Sequence, residues 1–139
     1  MKVVIDTNIL VAALRSRRGA SYKLVSLIPS DKFSIVISVP LIFEYEAVLC
    51  RGELPDAITE QDINDFIDYL CDAAIHQKVF FLWRPFLPDP ADDLVLEVAV
   101  AAGCNSIITF NKRDFRGIDK FGLRVLSPKE LLVKIGAIS

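Results

Sequence analysis

The chain has 139 residues, of which 53% are hydrophobic, and a formal net charge of -2 at pH 7. A chain of this length buries roughly two-thirds of the surface that its unfolded form exposes, so we expect a single domain over residues 1–139 that needs no disulfide to fold. The small net charge excludes a global attraction to nucleic acid, so any polyanion site must depend on local cations or on a metal ion.

The cysteines and the apolar segments bear on the compartment of the protein, and the apolar fraction bears on its oligomeric state. Three cysteines without a CxxC pair are typical of buried thiols in a reducing cytoplasm. Asp6 interrupts the N-terminal apolar stretch, and no apolar run approaches the ~20 residues of a membrane span, so we expect a cytoplasmic protein without a secretion signal. The hydrophobic fraction is high for a soluble monomer, which favours an oligomer.

Short apolar segments alternate with helical ones along the chain. The predicted strands cover residues 2–6, 33–38, 78–83, 105–110 and 123–126. Two predicted helices cover residues 9–14 and 21–28. Further helices are predicted to begin with Pro40 in the first turn and after the caps Thr59, Asp89 and Ser127, and residues 51–57 are predicted to be a linker. This alternation predicts an α/β fold, in which helices cover both faces of a parallel sheet.

Acidic or amide side chains fall where the strands end. Asp6 follows VVI at the end of the first strand, and Glu44 lies in the first turns of the helix after the second strand. Asp92 lies in the first turn of the helix in DPADDLVLEVAVAAG, and Asn111 and Asp114 follow the strand that ends in ITF. Ligands of such sheets bind outside the carboxyl ends of the strands, so these residues are predicted to share one edge.

Each of these residues also has a structural interpretation. Asp6 or Thr7 could cap a helix that begins near Ile9, and Asp89 is most simply a cap. The remaining acids could be solvated or could favour a helix or turn terminus: Glu44, Asp92, Asp93 and Asp114. Asp92 precedes Leu96 and Ala99 on one apolar stripe, which makes it a better candidate than Asp93 for a cleft.

A cluster of carboxylates without histidine is an oxygen-ligand site that suits Mg²⁺ or Mn²⁺. His76 is the single histidine and is predicted in a helical region, which excludes a two-histidine nuclease mechanism. The sequence contains no convincing Ser-His-Asp or Cys-His arrangement, phosphate-binding glycine loop or zinc motif. Metal-assisted hydrolysis therefore remains as the favoured chemistry.

The segments VVIDTN, SVPLIFEYEAVL, DPADDLVLEVAVAAG and ITFNKRDF together resemble a PIN domain across nearly the whole chain. The resemblance implies a three-layer α/β/α sandwich and a Mg²⁺- or Mn²⁺-dependent ribonuclease site. It implies that the family's acids fall on Asp6, Glu44 and Asp92, and that Asp93 could share a metal with Asp92. A fourth acid is often found where this chain has Asn111, so that role could pass to Asp114. Polar residues resembling those that support the acids are Thr7, Asn8 and Thr109.

As a compact, single-domain PIN protein of this length, the chain also resembles the VapC-type toxins of toxin–antitoxin pairs. This resemblance implies a homodimer that is silenced by a small antitoxin. We therefore expect a metal-dependent endoribonuclease acting on single-stranded or structured RNA. Two alternatives are a non-catalytic module that binds RNA or protein, and a phosphatase or flap-type DNA nuclease with the same metal chemistry. Backbone phosphates could contact basic residues in two loops, which also have a solvated interpretation: Lys112, Arg113 and Arg116, and Arg15, Arg17 and Arg18.

Overall fold

The computed structural model describes residues 1–51, 54–79 and 86–139. A five-stranded, all-parallel sheet forms its centre in the order β3-β2-β1-β4-β5. The strands are β1 (Lys2–Ile5), β2 (Ser34–Ile37), β3 (Ile75–His76), β4 (Ser106–Ile108) and β5 (Arg124–Leu126). Val3 of β1 pairs with Ile35 on one side and with Ser106 on the other, so the first strand is the middle of the sheet.

Helices flank the sheet as the alternating pattern predicts. They are α1 (Thr7–Arg15), α2 (Ala20–Ser26), α3 (Val39–Leu49), α4 (Glu60–Ala73), α5 (Pro90–Ala101) and α6 (Pro128–Lys134). Two short 3₁₀ helices, Lys112–Phe115 and Ile118–Phe121, connect β4 to β5. Of the helices in the described ranges, none has the length and apolar character that a membrane span requires.

The connections reverse direction at the middle of the sheet. From β1 the chain proceeds outward to β2 and β3, and it then returns through α5 to β4 on the opposite side of β1. Because such crossovers are right-handed, the crossover helices before the reversal, α1 to α4, and the crossover helix α5 after it cover opposite faces. Helix α6 follows the last strand and packs on α2. The expected three-layer α/β/α sandwich is therefore confirmed, and its topological switch point lies between β1 and β4.

The core is built on the central strands. Val3 and Val4 of β1 are fully buried, and α5 packs across β1, β2 and β4 with Leu96 and Val98 fully buried. Apolar strands buried on both faces are what a parallel sheet covered by helices requires. This packing fixes the directions in which β1 and β4 deliver the residues that follow them.

Side-chain caps define most helix starts, in agreement with the sequence. Thr59 with Asp62 and Ser127 with Glu130 form reciprocal capping boxes at α4 and α6. Asp89 caps α5, accepting from the N–H of Ala91 at 2.9 Å. Gly103 adopts a left-handed φ of 63° just beyond α5, where the sequence predicts the helix to stop.

Several predicted boundaries are wrong. Helix α1 begins at Thr7 rather than near Ile9, because Asp6 itself is the cap. The third strand is Ile75–His76, so His76 is not in a helix; Lys78 and Val79 are outside any strand, and the rest of the segment predicted over residues 78–83 lies outside the described residues. Residues 52–53 of the predicted linker also lie outside them.

Candidate functional site

Asp6 leaves β1 at the switch point, and its carboxylate is held from two directions. Its backbone N–H donates to the carbonyl of Ile108 at 2.9 Å, which continues the pairing of β1 with β4. Its Oδ1 accepts from the N–H of Thr7 at 2.8 Å, and its Oδ2 accepts from the hydroxyl of Thr109 at 2.7 Å. The capping interpretation of Asp6 is therefore correct for Oδ1, while Oδ2 accepts a hydrogen bond from the residue that follows the neighbouring strand β4.

Thr109 is the centre of this hydrogen-bond network. Its one hydroxyl hydrogen is donated to Asp6, so the same oxygen can only accept from the amide nitrogen of Asn8 at 3.3 Å and the backbone N–H of Asn111 at 3.0 Å. The orientation of the Asn8 amide follows, and its Oδ1 is buried without a hydrogen-bond partner. This oxygen is a spare acceptor beside Asp6, of the kind that a bound water could satisfy.

The environment of Asp6 disfavours the ionised form of its carboxyl group. Burial raises the pKa of Asp6, and the hydrogen bonds from Thr109 and Thr7 oppose that rise. The charges of Asp114 and Asp89 raise the pKa of Asp6 further. A buried carboxylate with other acids around it is costly at neutral pH unless a cation compensates it.

Tyr45 lies beneath Asp6 and is not indicated by any sequence pattern. It is 2% exposed on α3, and its hydroxyl donates a hydrogen bond to the carbonyl of Ile5, the residue before Asp6. Burial raises the pKa of Tyr45, and the negative charge of Asp6 adds to the rise. The phenol therefore stays protonated and anchors the end of β1.

Asp92 is the acid most strongly affected by the others. It lies in the first turn of α5, and its pKa is raised to about 7, first by burial and then by the charges of Asp6, Asp89, Asp114 and Asp93. These five aspartates come from the end of β1, the start of α5 and the turn after β4. The structure thus brings Asp6, Asp92 and Asp114 into one electrostatic group, as their positions at strand ends predict.

Asn111 and Asp114 lie in the segment after β4 and differ in what they contribute. Asn111 is exposed, and its described hydrogen bond to the network is made by its backbone N–H. Asp114 is also exposed, but its charge acts on both Asp6 and Asp92. Asp114 is therefore better placed than Asn111 to supply charge to the site.

Among the described residues, Glu44 is the predicted acid whose charge is not among those that act on Asp6 and Asp92. It is partly exposed on α3, one residue before Tyr45. Within the described part of the chain, the charges that raise the pKa values of Asp6 and Asp92 come from other aspartates and not from Glu44.

Asp93 and Glu97 are buried acids on α5. Asp93 is 1% exposed, and its Oδ1 accepts from the backbone N–H of Leu87 at 3.0 Å, so it holds the chain that enters the helix. Glu97 follows one turn later and is 3% exposed. Its burial was not predicted, although a lone acid within the apolar run LVLEVAVA is a usable signal of it.

The basic residues of the two loops differ in their contacts. The ammonium of Lys112 pairs with Glu130 at the start of α6, and this hydrogen bond lowers the pKa of Glu130. Arg113 and Arg116 are exposed beside it, and Arg15, Arg17 and Arg18 are exposed at the end of α1. A cavity of about 600 Å³ is lined by Phe110, Asn111, Lys112, Arg113 and Asp114.

The candidate ligands are of the donor type that a hard divalent cation prefers, but they do not converge around a common point. Every candidate donor is an oxygen, and the unpartnered Asn8 Oδ1 adds a neutral acceptor. Among residues 1–51, 54–79 and 86–139, however, no three His, Cys, Asp or Glu side chains converge closely enough to hold a metal as they stand. The donor chemistry fits the ion, and side-chain rotation would have to complete the shell.

Comparison with known proteins agrees with this architecture. The family model described as PIN domain matches residues 2–113. The structure is similar to that of VapBC2 from Rickettsia felis bound to a DNA fragment from their promoter, with a TM-score of 0.64, 17% identity and coverage of 91% of this chain and 100% of the other. It is also similar to VapBC-1 from nontypeable Haemophilus influenzae, with a TM-score of 0.63, 19% identity and coverage of 93% and 99%. No curated protein sequence matches the chain significantly.

Proposed function

Since the chain belongs to the PIN domain family, we propose that it is a single-domain, divalent-metal-dependent endoribonuclease and the toxin of a toxin–antitoxin pair. The observation that carries the proposal is the group of aspartates at the switch point of the sheet, where Asp92 has a pKa raised to about 7 partly by its acidic neighbours. Like charges that act on one another in this way repel, and a divalent cation bound among them would remove the conflict.

We assign the metal to oxygen ligands from separate elements. Asp6, Glu44 and Asp92 would hold Mg²⁺ or Mn²⁺ directly or through water, with Glu44 turning inward from α3. When bound, the cation would activate a water molecule and neutralise charge on the phosphodiester in the transition state. Thr109 holds the Asp6 carboxylate in one orientation, and Tyr45 holds the backbone that precedes it.

The fourth ligand position is assigned to Asp114, because its charge acts on Asp6 and Asp92 whereas Asn111 has none to offer. With a neutral amide at that position, binding of a second ion is expected to be weak. Asn111→Asp should then raise the affinity for Mn²⁺ in calorimetry, and Asp114→Ala should lower it. If both variants titrate like the parent, neither residue belongs to the shell. Asp93 is a weaker candidate for a ligand, since one of its oxygens already binds the backbone of Leu87.

Loss of activity with an intact fold tests the metal chemistry. Activity on RNA should vanish in EDTA and return with Mg²⁺ or Mn²⁺. Asp6→Asn should abolish cleavage but keep the melting temperature of the metal-free protein near that of the parent, because the amide still accepts from Thr7 and the loss of a buried charge offsets the lost hydrogen bond from Thr109. Asp31→Asn, at an exposed residue between α2 and β2, is a matched control that should cleave normally. Cleavage that persists in chelator, or an Asp6→Asn protein as active as the parent, would refute the mechanism.

The partners proposed are RNA, a second copy of the chain and a small antitoxin. The two structures compared above are VapBC structures, which supports an antitoxin as partner. Three free cysteines support action in the cytoplasm. Light scattering at tens of micromolar should give about twice the 15.5 kDa of one chain, and a mass of one chain would contradict the homodimer.

A second candidate is a PIN-fold module that binds RNA or protein without cleaving. The separation of the acids in the described residues and the amide at Asn111 favour it. It predicts RNA binding without metal-dependent cleavage in the same assay. A panel of single-stranded RNA, flap DNA and phosphate monoesters separates ribonuclease activity from the related DNA nuclease and phosphatase activities.

A further inference from the structure

An exposed phenylalanine directly follows the threonine that holds Asp6. Phe110 is 51% exposed and follows Thr109, which is fully buried and bound to Asp6. Isolated exposed apolar residues are common on protein surfaces, so exposure alone assigns no role. The surroundings of Phe110 supply the second observation.

Phe110 opens the five-residue segment that lines the cavity of about 600 Å³. The same segment brings the guanidinium of Arg113 and the carboxylate of Asp114, whose charge reaches Asp6 and Asp92. Lys112 in this cavity is paired with Glu130, whereas Arg113 is exposed and makes no ion pair with the described residues. The cavity therefore joins an exposed aromatic residue, a cation without an ion pair to the described residues, and one member of the acidic group, Asp114.

We propose that Phe110 is a base-stacking residue: a nucleobase of the RNA chain rests on its ring while Arg113 contacts a neighbouring phosphate. This inference rests on the proposed function. Single-stranded nucleic acids are bound by this combination of an aromatic platform and cations along the backbone. A paired base cannot offer its face in this way, so Phe110 would select for an unstacked nucleotide next to the bond that is cut.

The mixed lining favours RNA over a protein surface at this position. Val39 and Phe43 on α3 are more exposed, at 66% and 65%, and lie one helical turn apart on an apolar stripe. That stripe is the better candidate for contact with a second copy of the chain. The ring of Phe110 instead shares its cavity with charged side chains that complement phosphate and metal.

Binding of short labelled oligoribonucleotides tests the inference, measured by fluorescence anisotropy with Mg²⁺ in the Asp6→Asn background so that no cleavage interferes. Phe110→Ala should weaken binding of single-stranded RNA roughly tenfold or more and leave duplex binding nearly unchanged. Phe110→Trp should retain the affinity, whereas Phe110→Leu, which is apolar but has no ring, should not. Tyr22→Ala removes an exposed aromatic residue of α2 outside this cavity and should bind like the parent.

Oligonucleotides with a single abasic site identify stacking directly. With Phe110 present, one abasic position should weaken binding; with Phe110→Ala, the same abasic site should cost nothing further, because the two changes remove one interaction. A loss of folding would not produce this dependence on position. No binding of single-stranded RNA, equal binding by Phe110→Ala, or a change in particle mass in that variant would overturn the inference.

The two proposals fail separately. If the parent cleaves RNA with Mg²⁺ but Phe110→Ala binds and cleaves like it, the stacking role is wrong and the nuclease stands. If the parent binds RNA with the abasic signature but never cleaves, the nuclease is wrong and the stacking role stands.

Discussion

Replacing Thr109 by valine should destabilise the metal-free protein, because it removes a single hydrogen-bonding oxygen atom. Valine keeps the shape and β-branching of threonine at this fully buried position but removes the hydroxyl. That hydroxyl donates to Asp6 at 2.7 Å and accepts from Asn8 and from the backbone of Asn111. The substitution therefore tests a hydrogen-bond network while nearly preserving the packing at the position that follows β4.

The expected loss can be worked from these contacts. A hydrogen bond to a charged group contributes about 1.5–3 kcal/mol, and Asp6 is 8% exposed, so water cannot replace the donor fully. The Asn8 amide and the Asn111 backbone N–H make only partly buried hydrogen bonds, so water can replace Thr109 as their acceptor and their loss adds little. A loss of roughly 2–3 kcal/mol corresponds to a melting temperature lower by about 6–12 °C in a domain of this size.

Thr109→Ser is the matched control, because it keeps the hydroxyl and loses one methyl group, at a cost of about 1 kcal/mol. The difference between the valine and serine variants should depend on pH. The hydrogen bond from Thr109 lowers the pKa of Asp6, so its loss raises that pKa further and penalises the charged form. Asp6 in the folded valine variant therefore binds a proton at higher pH than in the serine variant. The difference in unfolding free energy between the two variants should shrink as the pH falls from 7 towards 4.

Urea unfolding followed by far-ultraviolet circular dichroism, in EDTA at pH 7 and pH 4.5, measures both effects. A valine variant as stable as the serine variant at pH 7 would refute the network as described. A deficit that is equal at the two pH values would show that Asp6 is not the group that the hydroxyl stabilises.

Three further predictions use the same assay. Tyr45→Phe should lower the free energy of unfolding by about 1–3 kcal/mol, because it removes the hydrogen bond to the buried carbonyl of Ile5; an unchanged value would argue against that bond. Asp93→Ala should cost a similar amount by orphaning the Leu87 N–H, while Asp93→Asn, which keeps an acceptor, should recover most of it. In EDTA the stability should fall as the pH rises from about 4 to about 7, since folding raises the pKa of Asp92 to about 7, and Asp92→Asn should flatten that fall.

The local signals in the sequence predict most of the architecture. Caps such as Thr59, Asp89 and Ser127 mark helix starts because they act within three residues of themselves. The buried strands at the chain start and after Gly103 are equally local, as runs of β-branched residues. The two-residue strand β3 was misplaced because its pairing with β2 depends on the chain around it more than on its own residues.

The sequence predicts the candidate site only for residues that follow the predicted ends of strands. Asp6, Asp92 and Asp114 could be placed together because parallel strands deliver their carboxyl ends to one edge. The contacts of Thr109 and Tyr45 join residues 103 and 40 positions apart, and no local pattern encodes them. Asp93 shows the same limit, since adjacent acids on a helix point in different directions and only the packed structure shows which one is buried.

The amide at Asn111 is consistent with how crowded the acids already are. Asp92 has its pKa raised by four other aspartates, so every further carboxylate at this edge raises the cost of the metal-free state. Asn111 keeps the backbone contact to Thr109 without adding a charge, and the turn of the 3₁₀ helix carries a carboxylate three residues later at Asp114. Because Asp114 is exposed, water screens its repulsion with Asp6 more than it would screen a buried acid. Under the proposed function, the site therefore retains negative charge for a cation while the repulsion in the metal-free protein is reduced.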